Sequence, residues 1–362
     1  MDKHAEFAEL LHSTIINSNS SESDVLHALL PLQSWILRNI PNKLYHFSSC
    51  SQHALDNFSS NEIWGSTISK FNDPYECVPS YNLVELWDNI FSNINISNFQ
   101  NLITKIKQGQ IPIEITSAFT PEQATAICQG LKEMPEEQLE KNCQLIPNLV
   151  YKLVDRKLLD IIQTFYEGFY TTESQKYISC FCEDNTSSLM WGHYGDSHRG
   201  FCLEYDFTSI LRPCSRSCEK VLGCNNLLLY PSIAPVVYSE TRFDATSHLF
   251  TILQNELMQL MKQTGKLYYP DTLLVLKCLL TKSIEWSYEK EWRIFVNSTA
   301  SSEQFGKICY LKPTALYIGA KTKPEKIDNL RKIAVKNGIP CFKMTLQYTN
   351  DKFVVSPVPF SP

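Results

Sequence analysis

The chain has 362 residues, 33 Lys and Arg against 38 Asp and Glu for a formal charge of −5, and is 43% hydrophobic and 20% charged. That balance excludes a disordered chain, lacks the basic excess of a dedicated nucleic-acid binder, and at this length admits one large domain or two to three smaller ones. Thirteen cysteines, an odd number in a long chain, argue against a disulfide framework; an acidic, discontinuous start and no run of about 18 apolar residues add the expectation of a soluble, cytoplasmic protein without a membrane span.

Apolar residues at helical spacing over 7–16 and 25–40 predict two helices around the Ser/Asn-rich 17–23, with Ser23 or Asp24 capping the second and Pro41 beyond its end. The texture then changes. KLYHF (43–47) and EIWGSTI (62–68) read as strands flanking a short helix at 49–58. Periodic segments at 82–108, 121–134 and 146–170 predict helices, the second opening on Pro121. They carry few chemically suggestive side chains, so they read as a helical insertion beside the core. KYISCFC (176–182) is a strand, 186–194 a short helix, GFCLEYDF (200–207) a strand and 236–238 a shorter one. Helices follow at 245–263 and 271–282, strands at 291–296 and 316–318, and a helix at 324–337. FVVSPVPFSP, with three prolines, reads as a surface tail.

The division expected is an N-terminal helical segment (1–40), a core (41–80 with 171–345), a helical insertion (81–170) and a tail (346–362). Strands in separated groups with helices inserted between them define an α+β fold. Twelve glycines without GxGxxG or GxxxxGK[ST] argue against a Rossmann or Walker-type phosphate site.

The most informative stretch is WSYEKEWRIF (286–295). Glu289 and Glu291 are two apart, so entry into an extended strand would aim both to one side. Carboxylates held that close repel, and one would have a raised pKa. The pair suits chemistry at a sugar carbon, one acid stabilising positive charge and the other orienting a nucleophile. The plainer reading is an exposed, charge-rich strand entry bonded to nearby basic residues. His46, in LYHF (44–47), faces away from Tyr45 and Phe47, either as a satisfied core histidine or into a cleft. Ser179 sits among small neighbours in ISCFC (178–182), with Trp191, His193 and Tyr194 downstream in MWGHY (190–194). FNDPYE (71–76) is a turn sequence, in which Asn72 and Asp73 are side candidates for a ligand. Cys214, Cys218 and Cys224 lack the paired spacing of a structural zinc site, and no metal is called for.

Taken in order, YHF, FNDP, SCF, MWGHY with RGFCLE, and EKEWR resemble a large bacterial family of uncharacterised proteins that itself looks like a divergent branch of the ADP-ribosyltransferase superfamily. The resemblance covers roughly residues 43–80 and 175–320. It implies a split, mixed β-sandwich with NAD⁺ as co-substrate in the cleft between two small sheets. Under it His46 would bond the adenosine ribose, and Ser179 would brace the catalytic glutamate and line the nicotinamide ribose. Glu291 would be that glutamate, and Glu289 the first acid of an E-x-E motif, which goes with arginine as acceptor. Tyr45, Tyr194, Asn72 and Trp191 complete the cofactor-binding set. Histidine in the first motif usually accompanies tyrosine in the second, so Tyr194 rivals Ser179.

The leading expectation is thus an NAD-dependent mono-ADP-ribosyltransferase acting on a protein, on arginine, as a bacterial effector or toxin delivered into another cell. The alternatives are a nucleic-acid-directed transferase or NAD glycohydrolase toxin, an inactive protein-binding scaffold, and an unrelated hydrolase using His46 and Glu291.

Overall fold

The structure, a computed structural model, describes residues 3–93, 96–116, 120–139, 141, 158–171, 176–207, 233–260, 268–297, 306–347 and 354–360. Two N-terminal helices, α1 (Lys3–Ser13) and α2 (Glu22–Asn39), lead into β1 (Leu44–Ser48), α3 (Gln52–Ser60) and β2 (Glu62–Trp64). Ser21 caps α2, in place of the expected Ser23 or Asp24. Its hydroxyl accepts from the Asp24 amide while the Asp24 carboxylate accepts from the Ser21 amide, a reciprocal box that satisfies two otherwise orphaned donors.

The periodic segment at 82–108 divides into helices Leu83–Asn93 and Ile96–Lys107. Pro121–Glu133 starts at its proline as expected, capped by Thr120 with Gln123. Of the helix expected at 146–170, residues 158–170 are helical and the rest lie outside the described residues. Leu86 packs with Leu249 and Leu253 of helix Thr246–Leu260, so this part of the insertion lies against the core segment.

The remaining strands are β3 (Lys176–Cys182), β4 (Phe201–Tyr205), β5 (Ile233–Pro235), β6 (Val237–Ser239), β7 (Thr281–Ser283), β8 (Glu291–Asn297), β9 (Lys307–Tyr310), β10 (Ala315–Ile318), β11 (Cys341–Leu346) and β12 (Val355–Pro359). Two corrections follow. The helix expected over 271–282 is confined to Leu274–Leu279, which leaves Lys282 on β7. Residues 355–359 are not a free tail but β12, whose Pro357 and Pro359 are tolerated because the strand forms the sheet's edge.

Eight strands form one mixed sheet in the order β12-β11-β10-β4-β1-β3-β8-β5, in which β10–β11 is the parallel pair. β2–β9 and β6–β7 are separate two-stranded ladders. Two small sheets were expected; the described strands instead hydrogen-bond into a single order with a thin joint at its middle. β1 pairs with β4 along Leu44–Ser48 and β3 with β8 along Lys176–Cys182, whereas β1 and β3 register only at Tyr45 and Cys182. Beyond that point they diverge. The far end of β3 pairs with the chain after β2: Ser66 N donates to Ile178 O (2.8 Å) and Ile178 N to Ser66 O (2.9 Å). Gly65 permits this approach, since a Cβ there would lie 2.7 Å from Ile178 N.

The main core lies on one face of the sheet. Phe7, Leu11, Leu32, Trp35 and Ile36 of the two N-terminal helices join Phe181, Leu203, Trp292, Ile294 and Leu316 there. The other face carries Phe47, Cys182, Trp191, Cys202 and Tyr317. Trp35 stacks on Trp292 of β8, ring centroids 6.4 Å apart, so α2 buttresses the strand that opens with Glu291. Replacing Trp35 by alanine should cost about 3–5 kcal/mol in urea unfolding, as for other large-to-small changes of buried aromatics; an unmoved midpoint would show that α2 is not part of this core.

Candidate functional site

The divergence of β1 and β3 opens a cavity of about 400 Å³, within the range of small-molecule sites. It draws on both faces of β3, since Ser179 and Phe181 line it together with Cys180 and Cys182. Backbone groups alternate in direction along a strand. Ile178 turns its amide and carbonyl toward Ser66, so Cys180, two residues on, turns its own toward the place β1 has vacated. His46 fills it: Nδ1 donates to Cys180 O at 2.8 Å. This fixes the Nδ1–H tautomer and makes Nε2 the acceptor of a neutral ring. Burial lowers the His46 pKa, and the bond to Cys180 only partly opposes the shift. Ser179, 3% exposed, also lines the cavity, and its Oγ has no hydrogen-bond partner among the described residues. A buried orphan hydroxyl is costly unless a ligand or water completes it.

The two acids reach the cavity by a route the sequence did not predict. Glu289 closes a short 3₁₀ turn, Ile284–Glu289, and Glu291 opens β8. Between them Lys290 is exposed and left-handed, with φ 45°. A side chain accepts that conformation reluctantly. It reverses the chain enough to bring both carboxylates onto one ammonium: Lys282 Nζ lies 2.6 Å from Glu289 Oε2, 3.1 Å from Glu291 Oε2 and 3.6 Å from Glu76 Oε1. Arg293, two residues along β8 and so on the same face as Glu291, donates from Nε to Glu291 Oε1 (2.8 Å) and from Nη2 to Oε2 (3.1 Å). It also pairs with Glu76. All five groups are buried.

Hydroxyl and thiol groups complete the cluster. Tyr194 donates to Glu289 Oε1 at 2.6 Å and accepts from Asn72 Nδ2 at 3.3 Å. Tyr238 Oη accepts from the Glu291 amide at 2.8 Å, and burial, with the nearby Glu291 carboxylate adding to it, pushes the Cys180 thiol up. Burial pushes the Glu291 carboxyl up and Glu289 adds to it, while Lys282 pulls the other way. Burial opposes the charge on Lys282, but Glu291 and Glu289 outweigh it and raise its pKa. Burial pulls Arg293 down to about 9, which leaves it charged at neutral pH. With every member ionised, three carboxylates face two cations, and one negative charge remains.

His46, Tyr45, Ser179, Tyr194, Asn72, Glu289 and Glu291 therefore line one cavity. Trp191 is set apart. It is 0% exposed, its Nε1 donates to Asn185 O, and it packs edge-on against Phe47 in the core. Ser179 does not brace Glu291, whose carboxylate is held by Arg293 and Lys282, and Tyr194 braces Glu289. The acids are buried, unlike an exposed strand entry, although both are bonded to basic residues. Asp73 of the turn accepts from Trp286 Nε1 (3.1 Å) and from the Tyr75 amide, tying the turn to the acidic segment.

Glu76, Lys282, Arg293 and Tyr238 were not singled out in the sequence. Arg293 was accessible from its alternation with Glu291, and Glu76 closes the FNDPYE turn. The helical reading of 271–282 concealed Lys282. Cys214, Cys218 and Cys224 lie outside the described residues. Among the described residues no cluster of three or more His, Cys, Asp or Glu is placed to hold a metal, and no helix is long and apolar enough to cross a membrane.

A family model described as a protein of unknown function, DUF2971, matches residues 190–294. The matched span includes Tyr194, Lys282, Glu289, Glu291 and Arg293, and leaves out His46, Asn72, Glu76 and Ser179. No curated protein and no solved structure matches the chain.

Burial holds the ring pKa values of His12, His46, His198 and His248 below the ordinary 6.5. Protonation then favours the unfolded chain, so the stability these rings contribute is present above the ordinary value and lost as pH falls below it. Thermal melts should decline from about pH 7 to about pH 5, and His46→Gln should flatten part of the decline. A melting temperature flat across that window would contradict the assignment.

Proposed function

We propose that this chain is an NAD⁺-dependent mono-ADP-ribosyltransferase that modifies a protein. The observation that carries the reading is the convergence on one cavity of a histidine with a fixed tautomer, a buried serine hydroxyl without a partner, and an acidic pair. NAD⁺ would supply the ADP-ribosyl group and nicotinamide as a cationic leaving group. The residues present suit it: His46 Nε2 is an acceptor for a ribose hydroxyl, and Ser179 Oγ is a group in need of a partner.

Glu291 would bond a hydroxyl of the nicotinamide ribose and oppose the positive charge that develops on the sugar carbon as nicotinamide departs, an interaction stronger in the transition state than before it. Lys282 and Arg293 would hold Glu291 in place and ionised against the effect of burial. Tyr194 would hold Glu289, and His46 would bond the adenosine ribose. Target recognition would fall to the helices of the insertion, because α1 and α2 are committed to the main core. The bacterial resemblance suits an effector or toxin delivered into another cell.

Arginine as acceptor, which the E-x-E pattern implies, requires Glu289 to hold a guanidinium. Glu289 already bonds Lys282 and Tyr194, which favours NAD⁺ hydrolysis as a second reading. Incubation of labelled NAD⁺ with the protein and a cell lysate tests the proposal. Label should appear on protein, and Glu291→Gln should lower the rate by about 10²–10³-fold, the usual scale for losing one electrostatic contact to the transition state. Transfer undiminished in Glu291→Gln contradicts it, and absence of NAD⁺ affinity in calorimetry would leave a protein-binding scaffold.

A further inference from the structure

A catalytic pair meant to receive a cationic side chain needs an open place for that cation, and here the place is filled. Lys282 is 5% exposed, lies beneath the Trp286 ring with its ammonium 5.0 Å from the centroid, and touches both acids. Glu289 is engaged on each oxygen, by Tyr194 on Oε1 and Lys282 on Oε2. A guanidinium brought to the same acids would meet a like charge in a closed, poorly solvated space, where repulsion is screened least. A neutral hydroxyl meets no such obstacle. Each carboxylate oxygen carries two lone pairs, so Glu289 retains acceptor capacity beyond its two bonds.

We propose that Lys282 determines the acceptor class of this site: it occupies the cation position between Glu289 and Glu291, so the nucleophile is a neutral oxygen, of water or of a hydroxyl side chain, and not arginine. The inference rests on the NAD⁺ reading above. In the transfer, the bond from the ribose C1′ to the nicotinamide nitrogen breaks and its electron pair leaves on nicotinamide. A lone pair of the hydroxyl oxygen forms the new C1′–O bond. The hydroxyl proton passes to Glu289 and from there to solvent. Lys282 acts through the acids and does not touch the reacting atoms.

The test uses the full chain, NAD⁺ and agmatine, a free guanidine, with products resolved by mass spectrometry and a lysate added in a parallel arm. The wild type should release nicotinamide and give free ADP-ribose, which identifies water, or an adduct on a Ser, Thr or Tyr hydroxyl, which identifies a side chain. It should form no ADP-ribosyl-agmatine. Lys282→Ser, which vacates the position, should gain that product by at least about tenfold. Agmatine or arginine adducts from the wild type overturn the inference while leaving the NAD⁺ reading intact, and so does a folded Lys282→Ser that still releases nicotinamide from NAD⁺ yet forms no ADP-ribosyl-agmatine. No nicotinamide release from the wild type overturns the NAD⁺ reading and this inference with it. Should Lys282→Ser fail to fold by circular dichroism or release no nicotinamide, the wild-type products decide alone.

Discussion

Polar backbone groups inside a sheet must be hydrogen-bonded, and a sheet that opens at its middle has to satisfy the groups along the opening. Here β3 loses β1 after one registered pair. The Tyr45–Cys182 pairing holds the near end, Ser66 takes the far end at Ile178, and the imidazole of His46 bonds the carbonyl of Cys180 between them. The divergence creates the cavity, and the histidine that satisfies the carbonyl is thereby fixed in tautomer and orientation at the cavity wall. One requirement of the backbone thus sets both the shape of the site and the state of one of its functional groups.

The second constraint is charge. Glu76, Lys282, Glu289, Glu291 and Arg293 come from a turn, a short strand, a 3₁₀ turn and the opening of β8, and all are buried. Burying five charged groups is a poor way to gain stability, because desolvation offsets most of the attraction. The arrangement does fix geometry: Arg293 holds Glu291 bidentately, and Lys282 and Tyr194 hold Glu289. Orientation of this kind has a clear use in stabilising a developing charge. Lys282 has a double effect, pulling the Glu291 pKa down against the effect of burial and occupying the space between the two acids.

Elements governed by local chemistry were legible in the sequence. The helix at 324–337 was readable end to end, since Pro324 opens it and Gly338, left-handed at φ 61°, ends it. Strand alternation placed His46 opposite Tyr45 and Phe47. Features that depend on distant partners were not legible. β12 is rich in proline and exists because β11 offers an edge. Trp191 has the look of a ligand contact, but only packing reveals it as core. The acidic pair converges through left-handed Lys290, a conformation its residue type does not announce, and Lys282 joins the site because a helix ends three residues before it.

The central claim is that the opening between β1 and β3 receives NAD⁺. A crystal structure of the protein soaked with NAD⁺ addresses it most directly. The account predicts the dinucleotide in that cavity, with a ribose hydroxyl on Ser179 Oγ, another on His46 Nε2, and the nicotinamide ribose against Glu291. A cavity still free of the dinucleotide at saturating NAD⁺, or NAD⁺ bound elsewhere on the molecule, would contradict it.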